Sequence, residues 1–83
     1  MKARTWWRGE ESAGQLHLMI ALPGQTQQLI CGTVTRERPY LHNLWRATHR
    51  ATPGKPPARL LGDTYKGVDA AMAAVQEAQD AVV

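Results

Sequence analysis

From Gln15 to Leu22 the chain alternates strictly, with Leu16, Leu18, Ile20 and Leu22 on one side and His17, Met19 and Ala21 on the other. A period of two with one unbroken apolar side is the signature of a strand that buries a single face. Residues 28–36 are rich in Ile, Val and Thr, whose branched side chains suit a pleated surface, and they follow Pro23-Gly24. They are therefore expected to pair back antiparallel on the previous strand, with Gly32 marking a bulge. Leu44 to Arg50 sets Trp45, Ala47 and His49 against Arg46, Thr48 and Arg50, the alternation of a half-exposed strand. A short strand at 59–61 and a weaker opening strand around Arg4–Arg8 complete the set.

The period changes at Gly67. Beyond it the chain is rich in alanine and free of Gly and Pro, and Val68, Ala71, Met72, Val75, Ala78 and Val82 recur at spacings of three and four. That stripe predicts a helix over about 67–82 with one face docked on a sheet. Gly67 is an acceptable N-cap, and Asp69 puts a carboxylate in the first turn, where the helix dipole favours it. The expected fold is α+β: an antiparallel β-meander of three to five strands within residues 3–62, with one C-terminal helix packed on one sheet face and the other face open.

Size narrows the functional classes. A chain of 83 residues is expected to form a single domain spanning 1–83, burying roughly 60–65% of its unfolded surface and leaving little volume for a deep cleft. No Ser/His/Asp set, carboxylate pair or Gly-rich phosphate loop is visible in the sequence, so the expectation is a protein that is not an enzyme and uses no cofactor. Cys31 is the only cysteine; it reads as a small buried hydrophobe in a chain that folds without a disulfide. His17, His42 and His49 join it at none of the close spacings of a structural zinc site, and His42 and His49 read as structural histidines. The longest apolar stretch, Leu16 to Pro23, is far short of the ~20 residues of a membrane span. The first residues lack the apolar core of a secretory signal, so a cytoplasmic location without membrane association is expected.

Charge adds direction. The net charge of +3 hides an asymmetry: residues 1–66 hold all ten Lys and Arg against Glu10, Glu11, Glu37 and Asp63, a net +6, whereas Asp69, Glu77 and Asp80 make the remainder −3. The positive field therefore belongs to the sheet. Alternation assigns Arg46, Thr48 and Arg50 to its open face, with Arg4, Trp6 and Arg8 on the first strand and Arg36 and Arg38 extending the set. Trp6 and Trp7 are adjacent, so a strand must point them to opposite faces; Trp45 is expected in the core near Met72 or Val75. Arginine forks and threonine hydroxyls suit phosphates and base edges, and an exposed indole can stack. Arginines on a solvated sheet face also serve solubility and blunt its edges.

The passage Leu61-Gly62-Asp63-Thr64-Tyr65-Lys66-Gly67-Val68-Asp69-Ala70-Ala71-Met72-Ala73-Ala74-Val75 resembles the strand-to-helix passage of plant ethylene-response-type DNA-binding domains and of the amino-terminal arm-binding domains of tyrosine recombinases. It is also similar to small phage proteins. The resemblance implies a three-stranded antiparallel sheet on a C-terminal helix, with Arg and Trp of the open face entering the DNA major groove. Two functional expectations follow. One is a small interaction protein of a phage or mobile element that docks on a host protein, as an anti-CRISPR-like inhibitor does, through the basic face or the loop of Tyr40, Leu41, His42 and Asn43. The other is a DNA-binding module using Arg and Trp of the open face. Self-association into a homodimer, through an exposed sheet edge or the alanine face of the helix, is a further expectation.

Overall fold

The computed structural model describes residues 3–37 and 43–82; Arg38 and the Tyr40, Leu41 and His42 portion of the expected docking loop lie outside them. Strands β1 (Arg4–Glu10), β2 (Gln15–Ala21), β3 (Gln28–Arg36), β4 (Leu44–His49), β5 (Arg59–Leu60) and β6 (Tyr65–Lys66) precede a single helix, α1 (Val68–Asp80). The sheet is antiparallel in the order β1-β2-β3-β4-β5, and β6 pairs with β4 beside β5. The meander and its terminal helix are the fold expected from the alternation. Two features go beyond it: β1 runs on to Glu10, and β6 is a sixth strand beyond residue 62. Two residues are too few to leave a periodic signal, so β6 is set by its partner strand rather than by its own pattern.

The turns follow local chemistry. After β1 a single 3-10 turn, Glu11–Ala13, ends on Gly14 in the left-handed region, φ 78°, a conformation glycine adopts without a Cβ penalty. Between β2 and β3 the pairing slips once: Leu18 faces Gly32 but Met19 faces Ile30. Cys31 is the extra residue of this bulge, beside the glycine that marked it in the sequence.

The bulge and the glycine together seat the helix. α1 packs on β3, β4 and β6, and a Cβ added to Gly32 would collide with Cγ1 of Val75. The sheet thus offers bare backbone where the helix comes closest. Leu16, Leu18, Ile20, Cys31, Val34, Trp45 and Ala47 from the sheet meet Val68, Ala71 and Val75 from the helix in one core, with Trp7 and Met72 packed against it. Trp45 is fully buried, and its indole N–H donates to Asn43 Oδ1 at 2.8 Å. This satisfies the one polar group that a buried indole brings with it.

The helix stripe departs from expectation at its C-terminal end. Val82 is half exposed, and the fourth buried helix residue is Gln79. The helix ends at Asp80, so Val82 lies past the last turn, while Gln79 meets His49 across the interface.

Candidate functional site

The helix covers one face of the sheet and leaves the other to solvent, and strand register fixes which side chains stand there. Arg8 lies opposite His17, His17 opposite Thr33, Thr33 opposite Thr48 and Thr48 opposite Leu60, one row across five strands. The next row runs Glu10, Gln15, Thr35 and Arg46; on the other side lie Trp6, Met19 and Ile30, then Arg4, Ala21 and Gln28. Directly opposed residues share a face, so Arg4, Trp6, Arg8, Arg46 and Thr48 stand together as the alternation expected. Lys66 joins them opposite Leu44. Arg50 follows β4 directly, outside the paired register, and its backbone N–H donates to Cys31 O, opposite a core residue, at 2.8 Å; strand pairing assigns its side chain to neither face.

Arg36 belongs elsewhere. It lies opposite Trp45 on the helix-covered side, and its guanidinium sits over the Trp45 ring, 5.1 Å from the centroid. The bulge at Cys31 lies between Gly32 and Ile30, so alternation counted across that run from β2 misjudges the face; the count from Val34, a core residue, gives the right one.

A row of hydrogen bonds crosses the middle of the open face. His17 Nδ1 and Thr33 Oγ1 share one at 2.9 Å, and Thr48 Oγ1 donates to the Thr33 carbonyl at 3.4 Å. Hydroxyl and imidazole groups therefore hold the middle strands, and cations hold both margins: Arg4 and Arg8 on β1, Arg46 and Lys66 on the β4 side. Three strand spacings separate β1 from β4, about 14 Å. Carboxylates on this face are few among the described residues: Glu10 ends β1, and Glu37 is ion-paired with Arg46. Such a surface pair adds at most about 1 kcal/mol to stability, but it holds one arginine fork in place.

Trp6, between Arg4 and Arg8 on β1, and Met19 beside it on β2 add an apolar element near that margin. Met19 is only 6% exposed although it points away from the helix, because Trp6 and Ile30 flank it across the strands. The Arg4 guanidinium lies over the Trp6 ring, 5.5 Å from its centroid, an arrangement that holds the indole along the sheet. His17 and Met19 stand on the open face because they alternate with Leu16, Leu18 and Ile20, and Thr33 joins them only through its register opposite His17, across a bulge that the alternation of β3 does not reveal.

A second feature lies at the far end of β4. A cleft of about 340 Å³ opens between His49, Arg59 and the loop residues Ala51, Thr52, Pro56 and Pro57. Another, of about 300 Å³, lies on the helix side of the same His49 and Arg59, against Ala78, Ala81 and Val82. His49 Nε2 is bonded to Gln79 Oε1 at 2.8 Å and the ring is buried; its chemistry is committed to joining helix and sheet. Among the described residues no three His, Cys, Asp or Glu side chains gather closely enough to hold a metal ion, and no helix is long and apolar enough to cross a membrane. No family model, curated protein or solved structure matches the chain.

Proposed function

We propose that the open face of the sheet binds nucleic acid. The observation that carries this reading is the arrangement of its charge: two cationic margins, Arg4 and Arg8 on β1 and Arg46 and Lys66 on the β4 side, flank a strip of Thr33, Thr48 and His17. A spacing of about 14 Å between margins matches the ~12 Å width of a B-DNA major groove. Extended arginine side chains reach phosphates on both walls while the threonine hydroxyls and Trp6 face what lies between. Phosphate contacts supply affinity and orientation; the central hydroxyls and the indole are the groups able to read bases. The strand-to-helix resemblance at residues 61–75 supports the same face.

Backbone amide NMR with a short mixed-sequence duplex and with the corresponding single strand tests this. Shifts concentrated on β1, β2 and β4, with α1 unmoved, are expected. Shifts confined to α1 or to the cleft at His49 contradict the reading. A second reading, docking on a host protein of phage-inhibitor type, draws on the half-buried apolar side chains of Trp6 and Ile30 on the same face; it predicts a stoichiometric acidic protein partner and an unchanged spectrum with either nucleic acid.

A further inference from the structure

The two edges of the sheet are unlike. On one side β4 is flanked by β5 and β6, each of two residues. On the other, β1 is seven residues long, pairs with β2 in unbroken register, and contains neither proline nor a bulge, its one irregular backbone position being Gly9 at φ 114°. Short strands are one of the ways proteins protect an edge from pairing with another chain; a long strand leaves its outer row of N–H and C=O groups available.

We propose that β1 pairs antiparallel with β1 of a second copy, joining two sheets into one across a two-fold axis at Trp7. The argument is in the strand's own sequence, Arg4-Thr5-Trp6-Trp7-Arg8-Gly9-Glu10. Trp7 is its midpoint, so a two-fold axis there uses the whole strand, and it places Arg4 opposite the partner's Glu10, Thr5 opposite the partner's Gly9 and Trp6 opposite the partner's Arg8. Symmetry repeats each pair. Opposed residues share a face, so on the open side two Arg–Glu ion pairs flank two Trp–Arg stacking pairs, each an attractive cross-strand contact. On the helix side the two Trp7 rings meet across the axis, extending both cores.

Other registers lose this match. Moving the axis by half a residue sets open-face side chains against helix-face ones, and moving it by one residue brings either Arg8 against the partner's Arg8 or Trp6 against the partner's Trp6, and leaves one end of the strand without an opposite residue. The charge sequence of β1 is thus self-complementary in one register. The joined sheet would present both open faces side by side, but the inference does not depend on what those faces bind.

Sedimentation velocity across the micromolar range at moderate salt tests it with the full chain and no ligand. Arg4 and Glu10 are exposed, so R4E and E10R leave the core intact, and far-UV circular dichroism verifies that. The wild-type chain is expected at twice the 9.2 kDa of one copy. R4E alone and E10R alone each set like charges against each other and should weaken association at least tenfold. An equimolar mixture of R4E and E10R restores both ion pairs and should return to the dimer, as should the double variant R4E/E10R. A wild-type chain that stays monomeric, a dimer indifferent to the single changes, or a mixture that fails to recover would each overturn the proposal.

Discussion

His49 on β4 and Gln79 on α1 meet in the interface between sheet and helix, Nε2 to Oε1 at 2.8 Å, and both side chains are buried. A buried polar pair is worth little net when complete, but removing one partner strands the other at a cost of about 1–3 kcal/mol. Q79L is therefore expected to lower the unfolding free energy from urea titration by that much, and the double variant H49L/Q79L to recover part of the loss. A Q79L chain as stable as wild type would show that the bond carries no weight.

Gly32 lies under Val75 with no room for a side chain. G32A should cost about 1–3 kcal/mol, the range for overpacking a filled core. Because V75A opens space at the same spot, the double variant should be more stable than the two separate losses predict. Thermal unfolding of the four chains measures that coupling; strict additivity would mean the contact is relieved elsewhere.

Cys31 has no exposed surface, and burial pushes its thiol up from 9.0 to about 11. The unfolded chain ionises first as pH rises, so the stability held by the neutral buried thiol is complete below about pH 9 and is lost as pH climbs through 11. Wild type should therefore lose about 1–3 kcal/mol more than C31A over that window, on the ~1.4 kcal/mol per pH unit scale. Unfolding curves of both chains at pH 8 and pH 11 give the difference; parallel losses would contradict it. At neutral pH the native thiol should react with a thiol reagent only as fast as the protein opens.

Trp6 and Trp7 separate function from stability. Trp7 packs on the core cluster, so W7A should cost about 2–3 kcal/mol, somewhat below the loss for a fully buried Trp. Trp6 shields Met19 on the open face, so W6A should cost about 1 kcal/mol and instead weaken ligand binding. Equal stability losses for the two would contradict the face assignment.

The parts of this fold that repeat were legible in the sequence. Leu16, Leu18 and Ile20 declared β2 and its buried face, and Val68, Ala71 and Val75 declared the helix and its docked stripe, because burial on one side imposes the period of the backbone itself. What the pattern missed depends on partners distant in sequence. Gln79 is buried through His49, thirty residues earlier, and β6 is a strand only because Leu44 and Trp45 lie beside it. Of the expected binding residues, Arg4, Trp6, Arg8, Arg46 and Thr48 share the open face because no bulge interrupts β1 or β4, whereas Arg50 lies past the end of β4, where the register stops. Arg36 was misassigned because the extra residue at Cys31 shifts the count along β3.

The salt dependence of DNA binding tests the central claim most directly. Fluorescence anisotropy with labelled mixed-sequence duplex and single strand, from low to physiological salt, should show log K falling linearly with log salt at about 0.9 per duplex phosphate contacted. The double variant R8A/K66A, which removes one cation from each margin, should keep the wild-type fold and reduce that slope by about 2. No binding at low salt with tens of micromolar protein, or a slope unchanged in R8A/K66A, would contradict the assignment of the open face to nucleic acid.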